Sequence, residues 1–464
     1  LSLGWRLYEE VVQQYTPLLM YAVAAAGSLF GFDGTTFRLV VALPLFAQGL
    51  LLGVGVLRGR LSTGRLTVWL AALGAVAAWT AYFDAFAIWP DAALAPFALG
   101  TVLLLEEFER SGRTRPLASA GLLLGIGILV KQTFAWTALG GAAWLLLASR
   151  RRTARRAVVL AVAVAAPCLA FWAAWAAAFG TTAHFRWTFV LPLTRHTGDM
   201  GVAPGGQDLL EAVAPFLVLA AAAVLVPPLV RRRAPSPLPW VTLATVAMAW
   251  PRWGLLHLAA TTGLLALALA RALRAAVAAS RRFRRPGRPA VSRAPVLGAG
   301  LGLLATHVAV AIAGGGVELT AQAGGGVRYW DEPPLVRLAA ETADRVGRGQ
   351  ELLSYFATND NIYVRSRTVP PGRLYVNIGF WFFLREDGLD ERLTTRLSLR
   401  PGLPVLFRGP VGEDLEHARR TRIWRFLDRN TRVLSGASED AEWREVARSA
   451  ADSGPGRRTD GLAR

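Results

Sequence analysis

The run from Arg115 to Arg151, RPLASAGLLLGIGILVKQTFAWTALGGAAWLLLASRR, decides how this sequence must fold. Between its terminal arginines lie about 33 mostly apolar residues. As one helix they would measure roughly 50 Å at about 1.5 Å per residue, against a bilayer hydrocarbon core of about 30 Å. The run must therefore fold back on itself as two short helices. Its one polar break is Lys131-Gln132, so the turn is expected there. Of the 51 Lys and Arg residues in the chain, Lys131 is the single lysine. It stands inside a membrane segment, where ionisable groups are costly and commonly functional.

The rest of the chain reads the same way. In 464 residues, 53% are hydrophobic and only 18% charged, below the quarter usual for soluble domains. Mean hydropathy is +0.36. The apolar runs are continuous, which excludes a membrane β-barrel with its alternating short strands. A net charge of +19 would suggest nucleic acid in a soluble protein. Here much of the arginine excess separates apolar runs and sets topology, so no nucleic-acid partner is inferred. The single cysteine, Cys168, excludes an intrachain disulfide.

Five basic clusters punctuate the sequence: Arg58–Arg65, Arg110–Arg115, Arg151–Arg156, Arg231–Arg233 and Arg271–Arg288. If all are cytoplasmic, an even number of crossings separates each neighbouring pair, and about ten crossings satisfy every cluster. The expected spans are 37–57, 67–83, 92–108, the hairpin around Lys131, 157–179, 210–230, a second hairpin with Pro251-Arg252 at its tip, and 295–313. Leu18–Phe30 is too short to span and is expected at the membrane surface. The fold class is thus a polytopic α-helical membrane protein with a small C-terminal extracytoplasmic α/β domain. Its parts are an external N-terminal segment (1–36), a transmembrane domain (37–313), the α/β domain (314–448) and a disordered tail (449–464). In the α/β domain, Pro333–Arg348 and Gly412–Asn430 have helical spacing. Glu351–Ala357, Ile362–Val364, Arg373–Val376 and Val405–Arg408 read as strands. The location is the cell membrane, multi-pass.

Three sets of residues could carry chemistry. External carboxylates come first: Glu9, Glu10, Asp33, Asp84 and Asp91. Asp91 follows Pro90, so a plain helix-N-terminal role competes with one as base or ligand. The second set is Lys131 and Arg252, each at the tip of a short hairpin. A phosphate or diphosphate at the membrane surface would explain two fixed cations there; snorkelling to lipid head groups is the alternative. Gln132 adjoins Lys131, and His257 follows Arg252 by just over a turn, where it could equally be a satisfied interhelical residue. Third is the loop Gly180–Asp208 with His184, Arg186, Arg195, His196 and Asp199. No zinc spacing, Walker loop, dinucleotide fingerprint or nucleophile elbow is present.

These residues together resemble a family. Tyr8–Tyr21 (YEEVVQQYTPLLMY), then Phe30-Gly31 and Arg38-Leu39, resembles the first external loop of GT-C glycosyltransferases, the polytopic enzymes that include protein mannosyltransferases and aminoarabinose transferases of lipid A. Trp89-Pro90-Asp91 resembles the family's approach to a helix. Gly121–Gln132 (GLLLGIGILVKQ) resembles its glycine-spaced helix ending in Lys. Pro251-Arg252-Trp253 resembles its Pro-Arg-aromatic element, and Asn361–Tyr375 the external tail of bacterial members.

The resemblance implies transfer of one sugar from a polyprenyl-phosphate-linked donor to a protein, lipid or glycan acceptor on the extracytoplasmic face, by a hexosyl- or pentosyltransferase. Lys131, Gln132, Arg252 and Tyr15 would meet the lipid-donor phosphate. Asp91 and Asp84 would support catalysis, with Glu9, Glu10 and His257 near acceptor or sugar. The family's main catalytic acid precedes the Tyr8 region, so the sequence is expected to be N-terminally incomplete and to lack that acid. Tyr15 and Thr16 also replace residues of the family pattern, a Lys or His and the first of two prolines. No protein metal site is read from the sequence. Charge on the leaving phosphate needs either cationic side chains or a divalent metal, Mg or Mn. A transporter or flippase and a catalytically inactive GT-C-like subunit are the competing classes, and membrane lipids are partners in all three.

Overall fold

The structure is a computed structural model that describes residues 11–12, 16–31, 34–57, 90–179, 183–190, 236–249, 255–268, 271, 333–355, 359–376, 388–408, 418–436 and 441–448. The chain divides into two compact units. One contains Leu1–Gln14, Ala24–Thr36 and Gly325–Arg464, and the other Tyr15–Val23 and Phe37–Gly324. The expected spans 67–83, 210–230 and 295–313 lie outside the described residues, as do Asp33, Arg195, His196 and Asp199.

The larger unit is helical. Helix α1 (Leu18–Phe30) has 13 residues, of which Leu18–Val23 belong to this unit, and α2 (Gly34–Leu57) has 24, which belong to it from Phe37 onward. Helix α3 (Pro90–Ser111) is followed by α4 (Thr114–Val130), α5 (Ala135–Leu147) and α6 (Ala154–Phe179). A short helical and π-helical stretch covers Ala183–Val190. Helix α7 (Leu238–Ala247) precedes a 3-10 segment, Leu255–Thr261, and a helical turn at 262–268.

Small residues set the spacing of these helices. A Cβ at Gly121 would meet the Ala163 Cβ at 2.5 Å, and one at Gly125 would meet the Val164 carbonyl at 2.3 Å. This lets α4 lie backbone to backbone on α6, the way helices pack in lipid. The Cys168 thiol reaches the Gly125 carbonyl across the same contact, at 3.5 Å. Gly140 does the same for α5 against α7, its Cβ falling 2.7 Å from the Trp240 carbonyl.

The outward faces are apolar. Leu43, Phe46, Leu50 and Val54 form a stripe along α2 with more than half of each side chain exposed. Val158, Val162 and Leu169 do so along α6. In water such continuous surface would demand a partner; lipid solvates it. Among the described residues, Ala154–Phe179 is the one helix that by length and composition alone would cross a membrane.

Both sequence-predicted hairpins close at one end of α3. Ser149 donates to Glu109 at 2.5 Å, and the Arg151 guanidinium donates to the Glu109 carbonyl at 2.7 Å, which returns the α4–α5 pair to its starting end. Arg271 grips Glu106 with two bonds of 2.6 Å and touches Ser236 at 3.1 Å, which closes the segment 236–271. Residues from three of the five basic clusters, Arg110, Arg151 and Arg271, therefore gather at the same helix end. Charge-assisted, bidentate and mostly buried, the Arg271–Glu106 grip should contribute about 1.5–3 kcal/mol. Glu106→Ala is expected to lower the thermal midpoint in detergent without altering helix content; an unchanged midpoint would assign the closure to apolar packing alone.

The smaller unit contains two sheets. Strand β1 (Val11–Val12) pairs in parallel with β3 (Tyr375–Val376). The second sheet has four strands in the order β2 (Leu353–Tyr355), β4 (Pro404–Phe407), β6 (Glu442–Val446), β5 (Thr431–Gly436). The β2–β4 pair is parallel and the other two are antiparallel. Helix α8 (Pro333–Val346) packs Leu335, Leu338 and Ala339 onto the sheet through Leu406 and Trp443. Helix α9 (Asn359–Ser366) adds Ile362 and Tyr363, and the Tyr363 hydroxyl bridges the Leu352 carbonyl and the Ser354 amide.

Segment 362–364, expected as a strand, is thus helical. A three-residue apolar run fits either period, and Asn359-Asp360-Asn361 ahead of it supplies helix-start chemistry. Helix α10 (Leu389–Ser398) lends Asp390 to the N-terminus of α11 (Arg422–Asn430), accepting from the Ile423 amide at 2.7 Å, while Thr421 accepts from the Trp424 amide. The predicted helix 412–430 is described from residue 418, and its continuous part starts at Arg422. Burial pushes the Tyr355 phenol well above its ordinary range, and Asp390 acts in the same direction.

Candidate functional site

At the opposite end of α3 from the arginines, the chemistry changes. Pro90 opens the helix, where its fixed φ and missing amide cost nothing, and Asp91 follows in the first turn. Helix α4 stops at Val130. Lys131 adopts extended backbone (φ −154°, ψ 126°) before the 3-10 turn Gln132–Phe134. A two-residue link with Gly112 at φ +72° reverses the chain between α3 and α4. The C-terminus of α4 thereby returns to the N-terminus of α3.

The Lys131 ammonium donates to the Asp91 carboxylate at 2.6 Å. The side chains are 5% and 0% exposed. Such a pair contributes little net stability. Attraction at this distance is offset by desolvation of several kcal/mol per ion, whereas removing one partner alone costs about 3–5 kcal/mol. Asp91 and the helix dipole favour each other as the sequence suggests, but the carboxylate is used across the helix pair on Lys131. Along α3, Asp91 and Glu109 are roughly 27 Å apart at about 1.5 Å per residue, close to a hydrocarbon thickness.

The segment before α1 joins this end. The Thr16 hydroxyl, buried, donates to the Ile128 carbonyl at 2.9 Å. Leu19 is buried in the same core as Val130 and Phe134. The Tyr21 ring lies 6.0 Å from Trp175, which also meets Phe171, Phe179 and His184 at 5.9, 4.6 and 5.7 Å. His184 is buried, so this part of the expected external loop is packed against aromatic rings.

Of the residues singled out from sequence, the structure joins Asp91 and Lys131 directly and places Gln132 on the adjoining turn. Tyr15, Glu9, Glu10, Asp84 and Arg252 lie outside the described residues; His257 is described only in its backbone, within Leu255–Thr261. The pairing itself was not legible, because Asp91 and Lys131 are separated by 40 positions. Thr16 and the ring cluster at Trp175 were also missed: a threonine and aromatics in apolar runs carry no distinguishing spacing. Among the described residues, no three His, Cys, Asp or Glu side chains gather as a metal site.

Comparisons with known proteins place this geometry. Residues 14–175 match the family described as dolichyl-phosphate-mannose-protein mannosyltransferase. No curated protein sequence matches. Among solved structures, the chain is similar to ArnT from Cupriavidus metallidurans bound to undecaprenyl phosphate, at 14% identity and a TM-score of 0.51 over 95% of this chain and 89% of that one. The apo state of the same ArnT gives 14% identity and a TM-score of 0.48, covering 96% and 89%. An Archaeoglobus fulgidus oligosaccharyltransferase in complex with Zn and sulfate gives 13% and 0.38, covering 95% and 66%. The likeness to ArnT shows a polytopic membrane fold. Asp91, Lys131 and Thr16 all lie inside the residues that are similar to the protein-mannosyltransferase family, and the fold is similar to that of ArnT.

Proposed function

We propose that the chain is a membrane glycosyltransferase that takes a sugar from a polyprenyl-phosphate-linked donor and transfers it to an acceptor at the extracytoplasmic face. The observation that carries this reading is the buried Asp91–Lys131 pair at the head of α3. A pair with little stabilising value, in a bilayer-embedded bundle, calls for a functional reason. The ammonium suits the oxygens of a lipid phosphate whose prenyl tail stays among the apolar helix faces. As the glycosidic bond breaks, charge grows on the leaving phosphate, and a fixed cation there favours the transition state. Asp91 keeps the ammonium in place.

The orientation follows from the arginines gathered at the other end of α3. With those on the cytoplasmic side, the pair faces the extracytoplasmic leaflet. A topology of about ten spans is proposed, with the C-terminal α/β unit outside the cell. Removal of the acceptor proton needs a base. Among the described residues Asp91 is the carboxylate at this end and it is engaged with Lys131, so Glu9, Glu10 and Asp84 are the residues to vary first. Gln132 and Arg252 are proposed to add donors to the phosphate, and Tyr15 and His257 to border the sugar or phosphate.

The test is release of labelled sugar from a panel of polyprenyl-phosphate sugars by the purified chain in liposomes, with and without EDTA and with added Mg or Mn. Transfer from at least one donor is expected where the catalytic acid that the resemblance places ahead of the Tyr8 region is present. Absence of transfer from every donor, with or without metal, would overturn the reading.

A further inference from the structure

We infer that Thr16 is a positioning residue for Lys131, holding the end of α4 so that the ammonium meets a donor phosphate. The inference rests on the reading of Lys131 above and deepens it. Helix α4 ends abruptly, because Lys131 turns to extended backbone. The last four carbonyls of a helix lack intrahelical partners, and in a bilayer a carbonyl left alone costs free energy. Gly127 accepts from the Lys131 amide at 3.0 Å. Ile128, one residue on, accepts from the Thr16 hydroxyl at 2.9 Å.

Thr16 is itself anchored. It precedes Pro17, which disfavours helical backbone at residue 16. The Tyr21 amide donates to the Pro17 carbonyl at 3.0 Å, and the Tyr21 ring packs on Trp175 of α6. The stretch from Thr16 to Tyr21 thus links α4 to α6, three residues ahead of the functional lysine. A valine at 16 keeps the shape and loses the hydroxyl; a serine keeps the hydroxyl.

The experiment measures binding of a fluorescent polyprenyl phosphate to the full chain in nanodiscs, with thermal midpoints recorded for every variant. Thr16→Val is expected to weaken binding about tenfold, the scale of one buried hydrogen bond. Thr16→Ser should bind within about twofold of the parent. In a Lys131→Met background, Thr16→Val should add no further loss, since the two act as one unit. In Thr16→Val donor KM should rise and kcat should fall, because a displaced ammonium also stabilises the leaving phosphate less. Parent-like binding by Thr16→Val would overturn the inference, even if its midpoint fell. So would an equal further loss on top of Lys131→Met. If the parent chain binds no polyprenyl phosphate, the functional reading itself fails and this inference falls with it.

Discussion

Lys131→Ala is expected to abolish donor-dependent transfer, by at least about a thousandfold, the scale of removing a preorganised charge from a developing oxyanion. Stability complicates this substitution. Truncating the lysine takes the ammonium away from the Asp91 carboxylate, which is fully buried, at a cost of about 3–5 kcal/mol. A loss of activity could then reflect loss of fold. The double variant Lys131→Met with Asp91→Leu removes both charges and fills the space, so it should recover most of the thermal midpoint. It should not recover transfer. A double variant with both midpoint and turnover restored would show the pair to be structural only.

The second large effect is expected at the glycines of α4. Gly125→Val would drive side-chain atoms into the Val164 carbonyl, already 2.3 Å from the first added carbon, and into Pro167 at 3.0 Å. Neither neighbour is the free end of a flexible side chain. Helix α6 must move away, so losses at or beyond the upper end of the usual 1–3 kcal/mol for overpacking are expected. Gly141→Ala is the internal control. Its added carbon meets Leu105 and Leu124 at 3.6 and 3.7 Å, ordinary contact distances. Detergent-solubilised yield and thermal midpoint should collapse for Gly125→Val and stay near the parent's for Gly141→Ala. Comparable behaviour of the two would contradict the close α4–α6 approach.

What the sequence made legible follows from the lengths of its apolar runs. The turn at Lys131-Gln132 is where the bilayer thickness requires it, and α1 has the bounds read from the polar residues around it. The second hairpin is closed by Arg271 and Ser236, with its expected tip outside the described residues. Helix α6 corresponds to the span 157–179 extended by three residues at its start. Local composition fixes such features. The ion pair, the Thr16 bond and the helix pairing through glycine are tertiary, and no single-sequence period reports them. In the C-terminal unit, β5 and β6 went unread because Thr431–Gly436 and Glu442–Val446 mix apolar residues with arginine, serine and glutamate without a clean period of two. There, pairing of β6 with β4 and of β5 with β6 overrides a weak local signal. Lys131 was recognised as a candidate cation, but not as one half of a buried pair.

The most direct measurement is binding of polyprenyl phosphate to the parent chain and to the Lys131→Met, Asp91→Leu double variant, compared at equal thermal midpoint. Saturable binding by the parent and its loss in the double variant is the predicted result. Equal affinity in the two would separate the buried pair from the donor phosphate and contradict the account.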